Sequence, residues 1–227
     1  MFAINHAAAS LAIKKKFPGA KMFWLLISVQ FVEILWVVFN FLGIEITKTE
    51  DAVRYVGDIH LLHMPFSHSV LSAIIIAGLS YAAIKFVFKD NKLALPFAIG
   101  VISHIVLDII THAQDIQLLF FADNPKLGTE LYTLRPYFAF ILELAFGVWC
   151  WWYYKGNKSL LTIVVLFNLA NFTVFSPDII GLEKYFANNE MLLVSVIAAQ
   201  ILITLLLVGQ FYKSESFSLS KIFSFNK

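Results

Sequence analysis

Six apolar stretches, at 22–44, 66–88, 93–113, 136–154, 159–177 and 190–212, constrain this chain more than any other feature. A helix of ~20 residues rises ~30 Å, the thickness of a bilayer's hydrocarbon core. In lipid each backbone polar group must be bonded within the protein, which leaves helices or closed barrels. The ~10-residue alternating segments of a membrane barrel are absent. The expectation is an all-α, polytopic membrane protein with about six transmembrane helices. Only 14% of residues are charged, against roughly 25% in a soluble domain. No repeat or low-complexity tract interrupts residues 1–227, which read as one domain. Residues 1–155 carry the polar motifs, and 156–227 add two further membrane helices. The fifth stretch is the weakest, with Asn168 and Asn171 ahead of Ser176-Pro177-Asp178.

Lys and Arg set the orientation, because cytoplasmic loops are enriched in them. With the N-terminus inside, the inner segments hold twelve of the seventeen basic residues, among them Lys14 to Lys16, Lys85, Lys89, Lys92 and Lys155. The outer segments hold Lys48, Arg54, Lys126, Arg135 and Lys184. Both termini are therefore expected inside. The net charge of +2 gives no reason to expect nucleic acid as a partner. Cys150 alone makes neither an internal disulfide nor a thiolate zinc module. Lys14 to Lys16 follow the first apolar residues, where a cleavable signal would carry its charge ahead of them, so the N-terminus is expected to be retained. Residues 1–13 read as a short helix. It either lies as an amphipathic segment on the inner surface or forms a half-membrane hairpin with the first span; composition favours the surface position.

Five of the six histidines fall in two segments. One is Asp58-Ile-His60-Leu-Leu-His63-Met-Pro-Phe-Ser67-His68-Ser69, and the other is Ser103-His104-Ile-Val-Leu-Asp108-Ile-Ile-Thr-His112. At ~1.5 Å per residue from the nearest inner lysine, His104 lies ~18 Å deep, Asp108 ~24 Å and His68 ~25 Å. The two motifs reach one level on antiparallel helices joined by a short turn at 88–91. His104, Asp108 and His112 recur at i, i+4, i+8, within ~80° of one helix face. A buried carboxylate between imidazoles in hydrocarbon costs several kcal/mol unless a cation or proton compensates. His63, His68, His104, Asp108 and His112 are accordingly candidate ligands of a divalent metal. Donors of this kind without cysteine suit zinc, with manganese or iron as the other options. His60 and Asp58 are more peripheral candidates.

Two further acids, Glu33 and Glu143, each fall ~18 Å deep by the same measure. Each is either a working carboxylate, as base or further ligand, or a protonated acid bonding across helices. Met64-Pro65 marks a helix start that puts Ser67 and Ser69 at its N-terminus. There they either receive an anion such as phosphate or simply cap the helix. Arg135, just ahead of Pro136, is a further phosphate candidate. His6 joins the cluster only if residues 1–13 dip into the membrane.

The blocks Met64-Pro-Phe-Ser-His-Ser69 and Ser103-His-Ile-Val-Leu-Asp-Ile-Ile-Thr-His112, with Gln30-Phe-Val-Glu33-Ile-Leu-Trp36, resemble a bacterial family of small inner-membrane proteins. That family is described as membrane-bound, LexA-regulated, metal-dependent hydrolases, and the resemblance covers about the first 150 residues. Relatives often carry Asp where Glu33 stands. The His-x-x-x-Asp element is also similar to that of zinc-dependent phospholipase C, which implies phosphoester chemistry. Together these imply a metal-dependent hydrolase in the inner membrane acting on a lipid or lipid-linked substrate. Asp108, Glu33 and Glu143 would be its catalytic carboxylates. A metal-stabilised scaffold and a metal-ion or proton transporter are the rival readings. The inner halves of the second and third spans offer little beyond Ser80 and Tyr81 to line a conduction path.

Overall fold

A computed structural model of the chain describes residues 1–121 and 125–213. It is mostly helical, and four helices are long and apolar enough to cross a membrane: Met22–Phe41, Val70–Val87, Ala94–Thr111 and Glu190–Phe211. The chain opens with Ala3–Lys16 (α1), turns back at 17–21 and enters Met22–Phe41 (α2). Ile46–Thr49 (β1) and Ile59–His63 (β2) then form an antiparallel ribbon. Val70–Ala82 (α3) runs on through a widened turn to Val87, and Ala94–Thr111 (α4) returns beside it. Ile116–Gln117 (β3) pairs with Lys126–Leu127 (β4). The short Leu131–Leu134 (α5) leads into Pro136–Tyr154 (α6), Lys158–Ala170 (α7) and Glu190–Phe211 (α8). Lys221 and Lys227, which entered the charge count, lie outside the described residues.

Several expectations need correction. The two ribbons add strands to a chain read as all-α. The fifth stretch makes a helix of only 13 residues, ~20 Å long, too short to span ~30 Å of hydrocarbon. It ends at Asn171, whose side-chain amide turns back to the Phe167 carbonyl at 2.8 Å, and a tight turn at Phe172–Phe175 replaces the last part of the expected span. α6 has the length, but Glu143 and its Trp and Tyr cluster leave it less apolar than the other four.

The larger correction concerns α1. It does not lie on a surface: ten of its fourteen residues are buried. Ala7, Ala8, Ala9 and Ser10 keep its girth small, as close helix packing in membranes requires. It packs against α6, α2 and α8, with its N-terminal end directed to the polar residues of α4 and α6. The hairpin with α2 is closed by the Lys14 ammonium, which donates to the carbonyls of Pro18 (2.7 Å) and Ala20 (2.6 Å). Lys14 satisfies those carbonyls at the turn, so α1 packs as the buried arm of a hairpin with α2.

α2 and α4 approach so closely that Gly100 has no room for a side chain. A Cβ there would sit 2.0 Å from Ser28 Oγ and 2.7 Å from Ser28 Cβ. Ser28 cannot swing away freely, since its hydroxyl donates to the Leu25 carbonyl at 2.7 Å. Gly100→Ala is therefore expected to push the two helices apart and cost ~1–3 kcal/mol, as overpacked cores do. Thermal unfolding in detergent measures this; an unchanged midpoint would show that the contact is slack. The central apolar cluster joins α1, α2, α4 and α7 through Leu11, Leu25, Val29, Val101 and Val164.

Candidate metal centre

Four side chains converge where α2, α4 and the start of α3 meet. α2 supplies Glu33, α4 supplies His104 and Asp108 one turn apart, and the segment leading into α3 supplies His68. Glu33 Oε2 stands 3.3 Å from His68 Nε2 and 3.3 Å from His104 Nε2. Asp108 Oδ2 stands 3.0 Å from His104 Nε2 and 3.6 Å from His68 Nε2. A tetrahedral ion with bonds of ~2.0–2.1 Å needs its ligand atoms ~3.3–3.4 Å apart. These four of the six edges straddle that value, and the donors form two close triads that share His104: Glu33, His68 and His104, and His6, His104 and Asp108.

Hydrogen bonds behind the rings decide which nitrogen faces inward. His104 Nδ1 lies 2.9 Å from the Val29 carbonyl, which only accepts, so Nδ1 carries the hydrogen and a neutral ring turns its Nε2 lone pair toward the carboxylates. His68 Nδ1 lies 2.9 Å from Ser67 Oγ. His104 Nε2 and Asp108 Oδ2 are buried without a hydrogen-bond partner among the described residues. Two orphaned acceptors 3.0 Å apart in a water-poor interior repel each other unless positive charge stands between them. The donor set, the spacing within each triad and the orphaned atoms fit a divalent cation, and that set has no thiolate.

Around this cage lies a second layer. His6, from α1, stacks on His104 with ring centroids 3.9 Å apart and reaches Asp108 Oδ1 with Nε2 at 3.1 Å. The Met1 amino nitrogen stands 2.5 Å from the same oxygen. Asp108 thus turns one oxygen to the cage and the other to the end of α1. Glu143 collects three donors: the Tyr132 hydroxyl in a very short bond, the Asn5 amide at 2.7 Å and the Phe2 backbone N–H at 2.9 Å. Burial first, then the Glu143 charge, pushes the Tyr132 phenol well above its ordinary range, so it stays a donor to Glu143.

The cage opens on a cavity of about 440 Å³ that meets it at Glu33, His68 and His112, with Tyr132 in its wall. Elsewhere Trp36, Leu61, Phe186 and Ile197 make the lining mostly apolar. Glu33 is 17% exposed, whereas His68, His104 and Asp108 are at most 3%, so Glu33 is the most open of the four and borders the cavity together with His68.

Among the residues expected at the site, Glu33, His68, His104 and Asp108 come together, and His112 does so only partly. It caps the end of α4, with Nε2 3.8 Å from Asp108 Oδ1. His63 does not join: strand β2 turns it outward, opposite Ile46, where it is exposed. His60 pairs with Glu50 at 2.9 Å on the exposed ribbon, and Asp58 accepts the Arg54 N–H. Ser69 caps α3, its hydroxyl oxygen accepting the Ser72 N–H at 3.1 Å. Ser67 is wholly buried between Glu45 and His68. Neither serine lines the cavity. Arg135 is exposed and also lies away from the lining. Glu143 touches none of the cage atoms; the Asn5 amide and the Phe2 N–H that it accepts tie α1 to α6.

Two residues that belong here escaped the sequence reading. Glu45 is 2% exposed and accepts from the backbone N–H groups of Phe66 and Ser67, both at 2.8 Å, and from the Ser67 hydroxyl at 2.5 Å. One charge amid Gly43-Ile44-Glu45-Ile46 was its only sign. Tyr132 had none.

No curated protein and no solved structure matches the chain. A family model matches residues 8–180, a stretch that holds Glu33, Glu45, His68, His104 and Asp108 but leaves out His6. With that match over most of its length and four helices apolar enough to cross a bilayer, the chain belongs to the YdjM inner membrane protein family and is a multi-pass protein of the bacterial inner membrane.

Proposed function

We propose that this protein is a membrane-embedded, metal-dependent hydrolase of phosphoesters carried on lipid or lipid-linked substrates. The observation that carries the reading is the set of four inward-facing donor atoms, from Glu33, His68, His104 and Asp108, at 3.0–3.6 Å along the four cage edges above. A divalent ion, zinc by donor chemistry with manganese or iron as alternatives, would supply a nucleophilic water near neutral pH and polarise the ester oxygen. The protein's own residues do the rest. His104 and His68 are held in orientation by Val29 and Ser67. Glu33, the ligand at the cavity wall, is placed to take a proton from an entering nucleophile. The apolar cavity excludes water and receives the hydrocarbon part of the substrate, with its polar group at the Glu33–His68–His112 end.

The charge pattern supports a topology with both termini inside and α6 and α7 embedded beside the four apolar helices. The cage then lies in the outer half of the membrane, facing the outer leaflet.

One observation favours a second reading. Four protein ligands and near-total burial resemble a closed structural site more than an open catalytic one. A metal-stabilised scaffold would have that geometry. Elemental analysis of detergent-purified protein, followed by turnover assays on phospholipid substrates, separates the two. Hydrolysis requires bound metal, a product phosphoester or phosphate, and a kcat drop of ~10²–10⁴-fold in Glu33→Gln. Stoichiometric metal with no turnover selects the scaffold, and protein that never retains metal defeats both.

A further inference from the structure

Glu45 sits just ahead of β1, directly beside the irregularity in the β1–β2 pairing at Ile46/Thr47, and no motif drew attention to it. That ribbon folds 45 back onto the segment at 66–68. One carboxylate oxygen accepts the Phe66 and Ser67 backbone N–H groups, and the other accepts the Ser67 hydroxyl. A serine hydroxyl has one hydrogen. With that hydrogen given to Glu45, Ser67 Oγ can present only a lone pair to His68 Nδ1, 2.9 Å away. Nδ1 must then carry the hydrogen, and the Nε2 lone pair is left for the cage, facing Glu33 and Asp108 at 3.3 and 3.6 Å.

We infer that Glu45 is a positioning residue that sets the tautomer of His68 through Ser67, so that His68 enters the metal centre as a ligand and not as a hydrogen-bond donor. Glu45 touches neither the cavity nor the cage atoms; it acts only by fixing which way one hydroxyl points. The inference rests on the metal-centre reading for affinity, but not for the tautomer itself.

The isosteric change Glu45→Gln exposes this polarity. Two backbone N–H groups face one terminal atom of residue 45, so the carbonyl oxygen of the new amide must stay there. Its NH₂ then faces Ser67 and donates to it. The Ser67 hydrogen turns to His68 Nδ1, the ring moves its own hydrogen to Nε2, and an N–H points into the cage. The fold keeps the same number of hydrogen bonds, but every bond in the relay is reversed.

The test uses the full chain in detergent with ¹⁵N-histidine, the His68 resonances being assigned by their loss in His68→Gln. At a pH high enough for the ring to be neutral, native His68 is expected as the Nδ1–H tautomer without metal, and E45Q as the Nε2–H tautomer. Zinc affinity, read by competition with a chelating dye, is expected to fall ~10–100-fold in E45Q, as removal of an outer partner of a ligating histidine does. Ser67→Ala frees the ring to choose and should lose less. The double variant E45Q/S67A should bind zinc more tightly than E45Q alone, a rescue that a merely structural Glu45 would not produce. An unchanged tautomer in E45Q, or a double variant as weak as E45Q, overturns the inference. If E45Q does not fold, S67A carries the test: His68 should populate both tautomers, and a retained single Nδ1–H form overturns it. Should native protein bind no zinc, the metal reading fails while the tautomer measurement still decides the role of Glu45.

Discussion

Asp108→Asn is expected to empty the metal centre and produce the largest loss of stability of any single substitution in the protein. Asp108 is 1% exposed and is shared by two sets of partners. Its Oδ2 faces His104 and His68, and its Oδ1 meets His6 at 3.1 Å and the Met1 amino group at 2.5 Å. An amide of the same shape has no charge for either set, and its NH₂ must confront a donor or a ligand on one side. Breaking a buried charge pair by removing one partner costs ~3–5 kcal/mol. Loss of bound metal adds to this by mass action, because an ion that binds only the folded state stabilises it. Metal content should fall below a tenth of the native value, and the unfolding midpoint in detergent should drop by on the order of 10 °C for a chain of this length. Chelation of the native protein should reproduce the metal-dependent part of that drop and no more. An Asn variant that retains full metal would show that Asp108 is not a ligand.

Glu143→Ala should be nearly as costly to stability, for a different reason, with a smaller effect on metal. Its carboxylate is the common acceptor for Tyr132, Asn5 and the Phe2 backbone, tying α5 and α1 to α6. Without it three donors are left in a dry interior, each costing ~1–3 kcal/mol if no other partner is found. Asn5 keeps its exchange with Asn168 at 2.9 and 3.2 Å, which limits the damage at that residue. A net loss of ~3–5 kcal/mol follows, concentrated on α1. The check is amide hydrogen exchange, where protection at residues 3–13 should fall well ahead of that in α4. Glu143→Gln, which still offers an acceptor, should recover much of the stability. If turnover is established and Glu143→Gln abolishes it with the fold intact, Glu143 belongs to the chemistry after all.

These two residues show how far depth along a helix can be read from a chain. Glu33, His104 and Glu143 each stand twelve residues from a lysine at one end of the helix, and rise per residue converts that count into level without any knowledge of neighbours. His68 and Asp108 were matched the same way, and they do meet, 3.6 Å apart. Level alone does not tell which way a side chain faces. Glu143 shares its level with Glu33, but α6 turns it to Tyr132 and α1 while α2 turns Glu33 to the cage.

Outside the helices even level is lost. His63 lies only five residues before His68, and proximity in sequence made it a candidate. Alternation along β2 would put His63 on the same face as buried Leu61, but the pairing is irregular between Ile46 and Thr47, and Leu62 and His63 both end up exposed. Glu45 comes inside by the alternation that β1 keeps, on the same buried face as Thr47 and Thr49, where it accepts from the segment at 66–67.

The amino-acid sequence by itself determined the apolar helices, the depth at which their histidines and acids lie, and the presence of more ionisable groups than hydrocarbon tolerates without compensation. Those properties are local, set by hydropathy and by a constant rise per residue. Tertiary structure decided which groups touch. The contact of Gly100 with Ser28 brings α2 to α4, α1 dips inward to place His6, and the ribbon delivers Glu45 to Ser67. Each depends on packing between segments far apart in the chain, where a difference of one residue in register exchanges an inward side chain for an outward one.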